Sequence, residues 1–181
     1  MTNPPKMANP AALGLAGFAL TTFLLSCVNA GFISGSDVWI GFALFYGGAA
    51  QLLAGMWEFP QGNTFGATAF CSYGAFWMST AFYVWFFAGK STNVHADLEF
   101  LLFAWAVFTA YMTYEALRHA ANPVKLVFIA LLITYILLWL GEALGASGLS
   151  LHVAGGYLGI ITALLAWYAS WKAAHDAHPS G

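Results

Sequence analysis

Charge is what this chain has least of. Lys and Arg number 5 and Asp and Glu 7 in 181 residues, so 7% of the sequence is charged against 61% hydrophobic. A surface facing water cannot be made from that composition, and lipid is the natural solvent. No basic stripe exists, which removes nucleic acid as a partner. Cys27 and Cys71 have no second Cys at ligand spacing, and the 5 His are scattered. Metal and redox chemistry therefore lack a frame, no cofactor is expected, and packing is the expected use of both thiols. An intramembrane enzyme fares no better. No His/Glu pair has metal spacing, and Ser150 and His152 sit too close in sequence, at the membrane edge, to make a nucleophile and its base.

What is present is length in the apolar runs. Stretches at 11–32, 37–57, 66–89, 99–120, 123–145 and 150–172 each approach the ~20 residues that cross a bilayer. They predict an all-α, polytopic membrane protein of six transmembrane helices, a single domain over 1–181 with connections a few residues long. Membrane strands are excluded, since the runs lack two-residue alternation and are twice too long. The first run is too long for a signal-peptide core and lacks a small-x-small cleavage pattern, so it is expected to be retained. Lys6, Arg118, Lys125 and Lys172 fall on one side and Lys90 on the other, which predicts cytoplasmic termini. Trp39, Trp57, Trp85, Trp139 and Trp171 lie near helix ends, as interfacial anchors do.

Asn9-Pro10 and Asn122-Pro123 read as helix starts: Asn caps free N–H groups, and Pro at the first position has none to lose. Residues 9–15 are also rich in small side chains, which hints at a bend or half-helix aiming N–H groups at an anion. The turn 58–66 is the least apolar internal segment. Lys90 to Leu98 reads as a solvated connection, and the tail from His175 as polar and frayed. Gly141 with Gly145, and Gly155 with Gly159, are small-xxx-small pairs for close helix approach, while Gly47, Gly48 and Gly55 thin one side of the second helix.

The polar residues recur at helical spacing. Phe18, Thr22, Leu25 and Asn29 share one face of the first helix; Gly48, Gln51, Gly55 and Glu58 share one on the second. Tyr73, Trp77 and Thr80 follow on the third, and Leu131, Tyr135, Leu138 and Glu142 on the fifth. Two explanations stand. Thr and Asn bond neighbouring helices, which suffices for any one residue; or the stripes line a path through the bundle, which Gln51 and Glu58 on a glycine-thinned face favour. Glu115, Arg118 and His119 read as a local ion pair, and Glu142 and His152 as solvated groups at the outer connection. Glu58 either serves a transported species or its proton, or fixes the turn that follows it.

No Lys or Arg lies at mid-membrane, where a charge costs roughly 2.5–3.5 kcal/mol on insertion scales. A permanently charged anion site is therefore excluded. A small carboxylate could be held by amide and hydroxyl donors and helix N-termini, or cross as the neutral acid. With a pKa of about 4, roughly one molecule in a thousand is neutral at pH 7. A local proton source helps, and Glu58 is one candidate.

At these positions the chain resembles the acetate uptake transporter family, the group of bacterial succinate–acetate permeases and their fungal relatives. The resemblance rests on Asn9-Pro-Ala-Ala-Leu-Gly-Leu15, Gly17-Phe18, Thr21-Thr22, Asn29-Ala-Gly31, Phe45-Tyr-Gly-Gly48, Ala50-Gln51, Ala54-Gly55 and Glu58. It continues through Gly62-Asn-Thr-Phe-Gly66, Thr68-Ala-Phe70, Ser72-Tyr-Gly74 and Phe76-Trp77, and in the second half Phe108-Thr109 is the best anchor. It implies a six-helix protomer with its own pore, assembled as a homohexamer in the cell membrane, moving acetate and sometimes succinate. It further implies an apolar constriction at Phe18, Tyr73 and Leu131. Polar residues Thr22, Asn29, Gln51, Asn63 and Thr64 would attend the carboxylate, and Glu58 matches the family's acidic position. Channel-like passage and proton symport both remain open, and the rival outside transport is a structural or adaptor membrane protein. Departures are Ala12 in place of Pro, Ser26-Cys27-Val28 in place of a more polar stretch, and Glu142 where relatives often carry Asn.

Overall fold

The computed structural model describes residues 7–34 and 37–177. Lys6 and the end of the tail, from residue 178, lie outside them. The described residues contain helices and turns but no strand. Helix α1 runs Ala11–Asn29 and α2 Val38–Leu44, followed by a π-helical turn Phe45–Ala50 and α3 Gln51–Glu58. Then come α4 Thr64–Phe86, α5 Val94–His119, α6 Asn122–Ala143 and α7 Leu149–His175. The second apolar run is thus one rod in three pieces, and the other runs each make one helix.

Five rods are long and apolar enough to cross a membrane: Ala11–Asn29, Val38–Glu58, Val94–His119, Asn122–Ala143 and Gly145–His175. At 23 residues α4 spans about 34 Å. It falls outside that set because Thr, Ser, Tyr, Trp and Gly dilute its apolarity. Several of them, Gly66, Tyr73, Gly74, Trp77 and Thr80, are buried on the inward face, while Thr64, Ser79 and Trp85 are exposed. A helix surrounded by protein does not have to be apolar all round.

The helices form a ring in which α1 packs on α7, α7 on α6 and α6 on α5. The α2–α3 rod joins α1 to α4, and only a sparse α4–α5 seam closes the circle. Close approach is built from small residues. A Cβ at Gly159 would strike Ser26 of α1, one at Gly155 would strike Leu138 of α6, and one at Gly55 would strike Cys71 of α4. Hydroxyls serve the same contacts: Thr134 and Thr162 lie 3.4 Å apart between α6 and α7, and Thr113 of α5 donates to the Phe128 carbonyl of α6 at 3.2 Å.

Several expectations need correction. The segment 9–15 is not a half-helix: α1 is continuous from Ala11, with Asn9 Oδ1 accepting from Ala11 N at 3.0 Å. Its small residues serve packing instead, Gly14 against the Phe70 ring and the Ala12 carbonyl against Ser170 Oγ at 2.7 Å. The interruption falls in the second rod, where the wide turn at Phe45–Ala50 rotates α3 relative to α2. Helix α5 begins at Val94, inside the connection expected to be solvated, because Asn93 caps it by accepting from Ala96 N at 3.2 Å. Gly145 is not a helix-packing glycine; it sits in the turn after α6 at φ 55°, a conformation that favours Gly. Trp39 is buried in the core rather than anchored at an interface, whereas Trp57, Trp85 and Trp171 are exposed.

Candidate functional site: a blind cavity ending on an aromatic neck

A cavity of about 260 Å³ opens at the end of the bundle where α1, α4 and α6 begin. Ala11, Asn63 and the α5–α6 connection at His119–Ala121 form its rim, and Leu15, Phe65, Phe70, Val124 and Phe128 its wall. Deeper in, Phe18, Tyr73 and Leu131 line it, with Gln51 beside them.

Each neck residue reaches the axis for a local reason. Phe18 lies two turns into α1, and its ring stands 5.9 Å from that of Tyr73 at an interplanar angle of 60°. Tyr73 is pinned from α5: its hydroxyl and Thr109 Oγ1 are 2.8 Å apart, and Phe108 packs edge-on against its ring at 5.3 Å. Leu131 lies two turns beyond Val124 on α6, at nearly the same angle about the helix. Next to the neck the interior is filled by rings, Phe76 against Trp105 at 4.7 Å and against Tyr135 at 5.8 Å. The cavity is a vestibule with this ring-filled core beyond it.

Gln51 is the polar group that reaches the vestibule most deeply. Its residue surface is 1% exposed, and its Oε1 has no hydrogen-bond partner among the described residues. A buried amide left unpartnered costs free energy unless something hydrogen-bonding visits it. Asn63 lines the rim and does two other jobs. Its Oδ1 accepts from Gly66 N at 3.0 Å, capping α4, and its Nδ2 donates to Glu58 Oε2 at 2.7 Å.

The remaining residues singled out from sequence lie off this lining. Glu58 is 2% exposed, and its backbone carbonyl accepts from Gln61 N and Asn63 N, both at 3.1 Å. Its backbone carbonyl thus clasps the turn and its Oε2 accepts from Asn63, while Oε1 stays unpartnered among the described residues. Thr64 is exposed at the start of α4. Thr22 is buried one turn past Phe18, and its Oγ1, like Trp77 Nε1 and Thr80 Oγ1, has no hydrogen-bond partner among the described residues. Asn29 ends α1 at the opposite end of the bundle, where its backbone meets Gly156 of α7. Five of the nine thus share one cavity: Phe18, Gln51, Asn63, Tyr73 and Leu131.

Two features escaped the sequence. The role of Thr109 was hidden, because a Thr in an apolar helix carries no mark of the ring it holds. Glu142 was expected to be solvated, yet its side chain is 10% exposed and lies between two imidazoles, His95 Nδ1 at 2.7 Å and His152 Nδ1 at 3.3 Å. Of the local group Glu115, Arg118 and His119, Glu115 meets His119 at 3.7 Å, while Arg118 donates to Tyr114 at 2.8 Å. Both cysteines are free, and no three His, Cys, Asp or Glu among the described residues are placed to hold a metal ion.

Comparison with known proteins agrees with this architecture. A solved bacterial acetate channel, SatP, superposes with a TM-score of 0.85 at 35% identity, covering 92% of this chain and 91% of that one. The succinate-acetate/proton symporter SatP of Escherichia coli is 39% identical over 90% of this chain and 86% of its own length. Accumulation of dyads protein 2 of Saccharomyces cerevisiae is 44% identical over 90% of this chain. Acetate permease A of Emericella nidulans is 39% identical over the same share. The chain spans about 60% of the length of those two fungal relatives. The model of the GPR1/FUN34/yaaH family matches residues 1–180, and the chain belongs to that family.

Proposed function

We propose that this protein moves small carboxylates, acetate first and succinate where size allows, through the vestibule and past the neck formed by Phe18, Tyr73 and Leu131. The observation that carries the proposal is the pairing of a mostly apolar cavity with a Gln51 Oε1 that has no partner among the described residues. An apolar ring excludes water and hydrated ions until its side chains part, so it selects by size and by the cost of dehydration. Gln51 Oε1 accepts from the hydroxyl of the neutral acid, and the amide Nε2 is the donor for a carboxylate, at the point where the substrate loses water. Thr22, Trp77 and Thr80 supply unpartnered donors past the ring.

The neck is closed in this conformation, and passage requires the Phe18 and Leu131 side chains to swing while Tyr73 stays tethered to Thr109. Glu58 is tied to Asn63, and Asn63 to the vestibule rim, so a proton on Glu58 would be felt at the entrance through one shared amide. That link supports proton-coupled entry as a second mode beside channel-like passage. Thr64 and Asn29 act at the two ends rather than at the neck.

Six membrane crossings follow if α4 spans with the other five rods. Arg118, Lys125 and Lys172 lie at the vestibule end and Lys90 at the other, which supports a cytoplasmic vestibule and cytoplasmic termini in the cell membrane. Large rings exposed on the outer surface, among them Phe45, Trp57 and Trp85, supply apolar faces for lipid or for the neighbours of a homohexamer. The protein is not an enzyme on this account. The adaptor alternative predicts polar groups used up between helices, and the free Gln51, Thr22 and Thr80 atoms argue against it. Radiolabelled acetate uptake into proteoliposomes, competed by unlabelled succinate and butyrate, tests the proposal. Uptake above empty liposomes, competed better by acetate than by butyrate, is expected; uptake equal to empty liposomes overturns it.

A further inference from the structure

We propose that His95, Glu142 and His152 form a proton-operated electrostatic collar at the pore mouth opposite the vestibule. It opposes the entry of small carboxylate anions while the imidazoles are neutral and admits them once both are protonated. The proposal rests on carboxylate transport as the protein's function.

Position comes first. On α6, residues 124 and 131 line the vestibule. At 100° per residue, Glu142 points within about 20° of Leu131, some 16 Å further along the axis. It therefore stands over the same interior face, at the far end. It is not spread into solvent there, because its carboxylate is bracketed by His95 from α5 and His152 from α7. His95 is the exposed partner, with 72% of its side chain accessible, and so can exchange protons with the medium.

Charge comes second. The same end of the bundle holds Asp37 before α2, Lys90 before α5, and Asp97 and Glu99 on α5. Asp97 is occupied by the Tyr83 and Ser91 hydroxyls. The turn 145–148 and the first turn of α7 add no charge besides His152. With neutral imidazoles this end has four carboxylates against one ammonium, a field that repels an approaching anion. Imidazole is the side chain whose charge changes between pH 5 and 8. Protonating both rings turns the collar itself from one negative charge to one net positive charge.

Tracer exchange of labelled acetate in proteoliposomes, with equal pH on both faces and constant acetate anion, reads the collar directly. Exchange through protein-free liposomes is subtracted at each pH. Glu142→Gln should raise exchange at pH 7.5 on the order of ten-fold, at the low end of what a charged cleft does to ion entry. It should also flatten the rise toward pH 5.5. His95→Asn/His152→Asn should do the reverse and hold exchange near its pH 7.5 level throughout. A group that only ties helices together cannot produce opposite changes in the two variants. If both variants keep the wild-type profile, even with lowered thermal stability, the collar is overturned while transport stands. If the wild type itself exchanges nothing, the transport function fails and the collar with it.

Discussion

The Tyr73 hydroxyl and Thr109 Oγ1 meet at 2.8 Å inside the bundle, and that contact couples α4 to α5 across the seam where the two helices otherwise touch least. It holds the one ring of the neck that has a polar handle. Thr109→Val keeps the shape but leaves a buried phenol unpartnered, which should cost about 1–3 kcal/mol of stability. Tyr73→Phe in the same chain should recover most of that loss. Thermal melts of the two single variants and the double variant form a cycle that measures the coupling. Additive losses would place Tyr73 and Thr109 outside any shared hydrogen bond.

Asn63 carries two bonds with separable consequences. Asn63→Ala removes the cap of α4, worth about 0.5–2 kcal/mol, and also leaves Glu58 without its side-chain donor. Glu58→Gln keeps the shape of the turn and removes the titrating group. Uptake by Glu58→Gln should lose pH dependence if that carboxyl carries the proton, and keep it if Glu58 only braces the turn. Measuring acetate uptake at two pH values for the variant and the wild type separates the roles.

Glycine contacts make a prediction about folding alone. A Cβ at Gly159 of α7 would run into the Ser26 side chain on α1. Gly159→Leu should therefore force α1 and α7 apart and cost at least about 1–3 kcal/mol, seen as a lowered melting temperature in detergent. The same change at Gly89, which has open space around it, should cost far less. Equal effects at the two positions would mean that α1 and α7 do not pack as described.

How much of this was legible in the sequence depends on the residue. Gly48, Gln51, Gly55 and Glu58 share a face by spacing, and that face is the buried one. Helix ends lie within about five residues of the apolar-run bounds, and the largest difference is at α5, where the Asn93 cap starts the helix ahead of its apolar run. The wide turn at Phe45–Ala50 was not legible, since an extra residue in a helical turn leaves the apolar pattern intact. Nor was the Glu142 cluster, because its partners come from helices 47 residues away and across a turn. Periodicity reports which way a residue faces, not which residue from another helix faces it. Gln51 and Glu58 show the same limit: they share one face, yet Gln51 reaches the vestibule and Glu58 turns into its own loop.

The central claim is that a greasy ring, not a charged site, decides what passes. Phe18→Ala tests it most directly, read as the ratio of acetate to butyrate uptake in proteoliposomes at matched protein content. Removing that ring should lower the ratio about ten-fold, the low end of what one methylene is worth in an apolar pocket, while acetate uptake persists. An unchanged ratio in a normally folded variant would contradict the account and move selection to another part of the path.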